Sequence, residues 1–474
     1  MSMFWADELL ANVKGPQIIN DSWTPSGMVH MGSLKGPVIH DTLFQILKER
    51  KQKVKFIYGF DDADPIDGLP ADLQTSHGKY LGIPLYLAPA PSGKGSFADY
   101  FADKMKSLLS TLNIKPEIYK TSELYNNGTF NKAIQFVLDN ADQVRRVYSN
   151  IYQKEIAKDW FPLQVVCPKC GKVGTTKVTG WNGKEVAFSC EETLVKWAKG
   201  CGFNEKISPF DGKSKMPWKV EWAAKWWTFG VTIEGAGKDH ASAGGSYDVA
   251  LKICREVFAK EPPLQFAYEF FLTGGKKMSS SKGLGLTGEE LLEVLPPELV
   301  RFLMVKTKIN QAVNFDPYEP TTIPRLFDEY DKENPSKKMR FSDVVNLLQM
   351  PGKEKELERE DVKARVPYAK IWLDKFAPEE EKFTVKEEFP EAALHLSALQ
   401  KMFLAKVAGE LMKNWQAEDF QANLYNWAKE LEISSKEAFS AIYLSLIGKD
   451  HGPKAAWLIL SLDRGFVKKR FSEI

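Results

Sequence analysis

His30, Gly32 and Ser33 are the residues of this chain best placed to act on a phosphate. They close the stretch Thr24-Pro25-Ser26-Gly27-Met28-Val29-His30-Met31-Gly32-Ser33. The apolar run Pro16-Gln17-Ile18-Ile19-Asn20 precedes it and reads as a buried parallel strand. Leu34, Val38, Ile39, Leu43, Phe44, Ile46 and Leu47 follow at helical spacing. The turn therefore sits where a strand hands over to a helix, and backbone N–H groups at a helix start attract phosphate. Gly32 lacks a Cβ, so a flat ring can approach the backbone there. His30 can donate to phosphoryl oxygens during displacement at phosphorus. A second stretch, Gly274-Gly275-Lys276-Lys277-Met278-Ser279-Ser280-Ser281-Lys282-Gly283, supplies cations. Glycines at both ends read as a mobile loop, and its lysines can reach a triphosphate as point charges. Taken singly, each stretch also has a plainer reading, a helix-start loop and a solvated linker.

The five cysteines are too few for a disulfide framework, and their spacing points to metal. Cys167-Pro168-Lys169-Cys170-Gly171 is a knuckle that aims two thiolates at one tetrahedral ion. Cys190 and Cys201, more widely spaced, can complete four ligands. Four thiolates leave no open position, so a structural zinc is expected rather than a catalytic one. The alternative is buried or redox-active thiols, but no thioredoxin-like pattern surrounds the pair. Cys254 lies in an expected helix and reads as core.

These residues need a frame. A strand over 53–60 ends in Asp61-Asp62-Ala63-Asp64-Pro65, acids at the carboxyl edge of a parallel sheet, where ligands bind in open α/β folds. A solvated turn is the competing reading of that edge. Helices are expected over 97–112 and 131–152. The α/β pattern returns at Trp218, with a helix over 220–230 and a strand over 232–240 running into a Gly-rich turn. A helix over 247–258 and a strand over 265–272 then lead to the lysine loop. From Leu286 the chain reads as helical, with amphipathic helices over 394–413, 419–431 and 436–447 and a further apolar segment over 453–462. A chain of 474 residues suffices for about three domains. A net charge of +2 gives no global basic field, so nucleic acid must be met by local patches. Lys337-Lys338-Met339-Arg340 and Lys468-Lys469-Arg470 are candidates. No leader and no long apolar run is visible, so a soluble, cytosolic protein with no membrane partner is expected.

Together, the His-x-Gly turn and the distant Lys-Met-Ser-x-Ser loop resemble the ATP site of class I aminoacyl-tRNA synthetases. Gly237-Lys238-Asp239-His240-Ala241-Ser242-Ala243-Gly244-Gly245-Ser246-Tyr247-Asp248 is similar to the class I lysyl-tRNA synthetase family. So are residues 218–226, Glu261-Pro262-Pro263 with Tyr268-Glu269, the serine-rich loop, and residues 448–470. The resemblance covers nearly the whole chain. It implies an α/β, Rossmann-type catalytic domain split by a zinc-bearing insertion and followed by an all-α anticodon-binding domain. The expected boundaries are 1–87 and 217–285 for the catalytic halves, 88–216 for the insertion, 286–330 for a helical junction and 331–474 for the last domain. It also implies ATP-dependent attachment of L-lysine to tRNA(Lys) through a lysyl-adenylate, with tRNA bound before activation. ATP, Mg²⁺ and structural Zn²⁺ would be used, by a monomer.

By the same resemblance, Pro25, Gly27, His30, Gly32, Gly237, Asp239, Lys277, Met278 and Ser279 would hold ATP. His30, Gly32, Ser33, Lys277 and Lys282 would serve catalysis, and Ser22, Thr24, Trp218, His240 and Tyr268 would hold lysine. Two positions depart from the family pattern. Ser280 stands where class I loops usually carry Lys, leaving Lys276 or Lys282 to supply the second charge. Ser22 stands where the family usually has Gly. Two other classes fit parts of the pattern. One is another class I nucleotidyl transferase, of the glutamate or glutamine type or a small adenylyltransferase; the other is a non-catalytic tRNA-binding relative. The insertion and helical C-terminus argue against the small transferases. Intact His30, Gly32, Lys277 and Asp239 argue against the last. A glutamate site would need a cation facing the side-chain carboxylate, and no basic residue is clearly placed for that.

Overall fold

Gln17–Trp23 (β1) runs parallel to Val54–Phe60 (β2), in register from Gln17 opposite Val54 to Trp23 opposite Phe60. This structure is a computed structural model, and it describes residues 4–277, 286–335 and 338–473. Parallel neighbours need a crossover, and Lys35–Glu49 (α1) supplies it. Its periodic residues Val38, Ile39, Leu43 and Leu47 are buried. Glu117–Lys120 (β3) pairs in parallel with β2, giving the order β1-β2-β3. The expected boundary at residue 87 therefore falls too early: β3 and the helix Phe97–Thr111 belong to the first α/β block. The helix expected over 131–152 is two helices, Asn131–Asp139 and Ala141–Tyr152. They part at Asn140, whose side-chain amide donates to Phe136 O at 2.8 Å. Such local bonds compete with the helical ladder.

The chain divides into two units, Met1–Leu292 with Val300–Phe315, and Glu293–Leu299 with Asp316–Ile474. Within the first, Thr176–Trp181, Val186–Cys190 and Asn204–Ile207 form an antiparallel sheet that carries the cysteines. The second α/β block joins the first through Ile233, bridged in parallel to Ile19. The strand expected over 232–240 is confined to that bridge and to Ala236–Gly237, paired with Ala267–Tyr268. Gly235 lies between the two, where only glycine fits, because the Phe266 ring lies 2.1 Å from where a Cβ would stand. Phe271–Thr273 then turns back on Lys276–Lys277 across Gly274 and Gly275, both at positive φ, as a tight hairpin requires.

The second unit is helical where it is described. Ala398–Glu410, Ala417–Glu430, Ser435–Ile447, Ala455–Ser461 and Arg464–Ser472 contribute to one core that includes Phe403, Phe420, Ile442 and Leu458. Arg470, read as a phosphate contact, is buried and donates to the carbonyls of Ser445, Lys386 and Glu387. It ties three chain segments together and is not a surface cation. Arg340 is engaged by Asp328 at 2.8 Å and Lys338 lies 3.9 Å from Glu298, while Lys337 falls outside the described residues. Among the described residues no helix is long and apolar enough to cross a membrane.

Candidate active site

His30 caps a single 3₁₀ turn, Met31–Leu34, that feeds directly into α1. Ser33 N–H donates to His30 Nδ1 at 3.2 Å, and Ser33 Oγ lies 3.2 Å from His30 Nε2. The segment that follows the lysine loop closes on this turn. His30 bridges Thr287, Met31 N–H donates to Leu286 O at 3.0 Å, and Gly288 N–H donates to Val29 O at 2.8 Å. Two motifs some 250 residues apart in sequence thus meet through backbone hydrogen bonds.

A cleft of about 760 Å³ opens beside the turn. Ser22, Thr24, His30, Gly32, Ser33, Trp218, Gly237, Asp239, His240 and Tyr268 all line it. Pro25 and Gly27 do not line it; Pro25 is buried, and Gly27 faces Pro70. Lys277 is placed by its backbone in the hairpin, whereas Met278, Ser279 and Lys282 lie outside the described residues. Trp218 stacks on Trp222 with centroids 5.4 Å apart, and His240 stands edge-on to Trp218 at 5.0 Å. This aromatic wall comes from the helix Trp218–Phe229 and the turn after Gly237.

The floor is charged and buried. Lys225 pairs with Asp61 and lies 3.8 Å from Glu221. Lys215 bridges Glu221 and Asp64, each at 2.8 Å. Tyr125 Oη donates to Glu221 at 2.5 Å. Ser22 Oγ donates to Asp61 at 3.1 Å and Thr24 Oγ1 to Asp64 at 3.1 Å, so both residues expected at the amino acid are held from below. Burial draws the Lys225 ammonium down, but Asp61 and Glu221 together hold it above its ordinary value. Burial pushes the Asp61 carboxyl up to about 6 against the pull of Lys225. The acid-rich edge after β2 is thus no solvated turn. Asp62 is a structural partner, accepting from Ser122 N–H at 2.7 Å and Ser122 Oγ at 2.6 Å.

Sequence reasoning passed over Asp21, Lys35, Lys215, Glu221, Trp222, Lys225 and Glu234. One signal was present: Trp218-Lys219-Val220-Glu221-Trp222-Ala223-Ala224-Lys225-Trp226 is apolar around much of its helix, so charges four apart within it must be buried and paired. His40 is a second buried device. Its Nε2 accepts Gly235 N–H at 3.0 Å, so its Nδ1–H donates to Gly36 O at 2.8 Å and the ring is neutral. Burial keeps it so.

The four sulfurs of Cys167, Cys170, Cys190 and Cys201 lie within 4.8 Å of one another. Cys167 and Cys201 are 3.6 Å apart, and Cys170 and Cys190 3.7 Å. A zinc tetrathiolate with bonds of about 2.3 Å has sulfurs about 3.8 Å apart. Gly171 and Gly202, each following a cysteine, both take φ of +73°. The wide second pair therefore forms a knuckle like the first, and the donor set fits zinc.

The fold resembles that of the glutamate-tRNA synthetase from Elizabethkingia anophelis, with a TM-score of 0.52 at 12 % identity over 97 % of this chain and 99 % of that one. The profile of the tRNA synthetases class I (K) family matches residues 3–357, and the chain belongs to that family. It is 32 % identical to the lysine–tRNA ligase of Methanosarcina barkeri, over 100 % of this chain and 98 % of the relative. It is 30 % identical to that of Picrophilus torridus, over 100 % and 99 %.

Proposed function

We propose that this protein is a lysine–tRNA ligase, acting as a cytoplasmic monomer. The observation that carries the reading is that one cleft joins a phosphate-attracting turn to an aromatic, acid-lined wall. ATP suits the first and a cationic side chain the second. The lysine carboxylate attacks the α-phosphorus, a new P–O bond forms, and pyrophosphate leaves with the former bridging oxygen. A ribose hydroxyl of the terminal adenosine of tRNA(Lys) then attacks the adenylate carbonyl, and AMP leaves. Neither step needs a protein nucleophile; placement and electrostatics suffice. His30 faces the phosphates, Gly32 underlies the adenine, and Gly237 and Asp239 take the ribose. Loop lysines neutralise the pyrophosphate, and Mg²⁺ carried by the nucleotide would add to that neutralisation. Trp218, His240 and Tyr268 hold the lysine side chain, with Ser22 and Thr24 beneath the amino-acid backbone.

In this reading zinc holds the insertion and takes no part in the chemistry, and metal analysis should return about one zinc per chain. Activation waits for tRNA. The deciding assay is lysine-dependent exchange of pyrophosphate into ATP, with and without tRNA, beside charging with lysine and with glutamate. Exchange with lysine only when tRNA is present is expected. Preferential charging with glutamate overturns the reading, and fast exchange without tRNA overturns the ordering alone.

A further inference from the structure

The cleft's acids are not equivalent. Asp61 is matched by Lys225, Asp64 by Lys215, and Glu269 by Lys238 at 2.5 Å. Asp21 and Glu234 are both buried with no charged partner, and of the two it is Glu234 that is joined to the aromatic wall. It is 1 % exposed yet reaches the cleft wall. Its carboxylate is gripped by neutral N–H donors: Trp222 Nε1 on Oε1 at 2.7 Å, and Trp226 Nε1 and Asn20 Nδ2 on Oε2, both at 2.6 Å. The basic groups that influence it, His40 and Lys225, are committed elsewhere. His40 is neutral, and Lys225 belongs to Asp61 and Glu221. Burial pushes the Glu234 carboxyl up to about 7 despite those donors. A buried carboxylate without a counter-charge is costly, and cleft residues of this kind are commonly completed by a ligand.

The shape of the wall says which ligand. Trp222 links two roles: its ring stacks on Trp218 and stands edge-on to His240 at 6.2 Å, while its N–H fixes Glu234 Oε1. The wall from Trp218 through Trp222 is thus apolar, and the buried carboxylate of Glu234 stands behind its far end, joined to it through Trp222 Nε1. Four methylenes ending in an ammonium match that sequence of environments. We propose that Glu234 receives the side-chain ammonium of the substrate and so determines selectivity for lysine. The inference rests on the lysine reading above and adds the residue that enforces it. Asn20 and the two indoles are positioning residues: three fixed donors hold the carboxylate rigid and leave Oε1 with the free acceptor capacity. An acidic side chain such as glutamate's would meet like charge here and be rejected.

The test is Glu234→Gln, assayed by pyrophosphate exchange with tRNA present. The lysine KM should rise about 100-fold, while the KM for ATP changes less than about threefold, because a site built around a polar contact discriminates strongly when it is lost. Norleucine, which has the stem but no terminal ammonium, serves as competitive inhibitor. Its inhibition constant should change little, so the preference for lysine over norleucine collapses. A purely structural role would weaken both ligands alike, and that result overturns the proposal. A structure of the wild-type protein with lysine bound tests it independently of the variant's folding. The side-chain nitrogen should lie about 3 Å from Glu234 Oε1; finding it on Asp21, Asp61 or Asp239 overturns the proposal. If the wild type does not charge lysine, the functional reading falls and takes this inference with it. If it does, and Glu234→Gln keeps the same lysine requirement, this inference falls alone.

Discussion

Around His30 the site is made mostly of backbone: a strand end, one 3₁₀ turn, and the bridge from His30 to Thr287. Across the cleft the floor is made of side chains, an alternating row of Asp61, Lys225, Glu221, Lys215 and Asp64 buried under Ser22 and Thr24. The first needs a few residue types in a short stretch. The second needs partners far apart in sequence, 164 residues in the case of Asp61 and Lys225. The difference separates two kinds of dependence. Loss of a side chain at the turn should cost rate and leave the fold, whereas loss of one in the floor should cost the fold.

Lys225→Met carries the largest expected effect. Removing one partner of a buried pair leaves Asp61 uncompensated, while Glu221 keeps Lys215, at about 3–5 kcal/mol. The unfolding midpoint of the first unit should drop on the order of 10 °C, read by differential scanning fluorimetry. Adding Asp61→Asn should recover part of the loss, because the orphaned charge is then gone. A single variant as stable as the wild type would mean that the floor is not held by charge, and the contrast with the turn would vanish.

The same contrast explains what could be read in the sequence. His30 and Gly32 were legible because local spacing alone specifies a strand-to-helix turn, whereas Gly274 and Gly275 read as one end of a mobile loop and form the turn of a hairpin. The first cysteine knuckle was legible from local spacing too, and Cys190 with Cys201 less so, since a ten-residue gap says little until Gly202 turns the chain. Ser22 and Thr24 were legible as positions but not in their chemistry. Nothing near them in sequence announces Asp61, Asp64 or Lys225. Glu234 was hidden because its partners come from Asn20 and from a helix ahead of it, and only the fold brings them together. Residue 87 failed as a boundary because strand order is a tertiary fact: the chain leaves the sheet after β2 and returns to it at β3.

His30→Ala sharpens the comparison from the other side. Loss of one preorganised donor to a transition-state oxygen costs on the order of 3 kcal/mol, roughly a hundredfold in the rate of adenylate formation. The unfolding midpoint should stay within about 2 °C of the wild type, since His30 is only half-buried and its ring bonds to Ser33 of its own turn. Rapid quench measurement of adenylate, with lysine and tRNA saturating, gives the rate. Equal rates would remove His30 from the mechanism.

Asp21→Asn comes last because its effect shows only as pH rises, and it tests whether the buried charge extends to the wall facing α1. Asp21 accepts Ser22 N–H at 2.9 Å, and Gly36 leaves it room: a Cβ there would stand 2.9 Å from both Asp21 Oδ2 and Tyr268 Oη. Its closest basic group, His40 at 3.6 Å, is neutral. Burial pushes the carboxyl up to about 8, with the charge of Asp61 adding to the rise and Ser22 N–H and Lys225 opposing it. In the unfolded chain the same group titrates near 3.9. Between these values the folded state holds the proton longer, so Asp21 withdraws stability as pH rises from about 4 to about 8, and no more above that. Asparagine keeps an acceptor for Ser22 N–H and removes the titration. The variant should therefore match the wild type near pH 5 and unfold a few degrees higher near pH 9. The gap should open through neutral pH and then level off. A gap equal at both pH values would show that Asp21 already carries its charge at pH 5, with a cation in the cleft wall supplying what His40 does not.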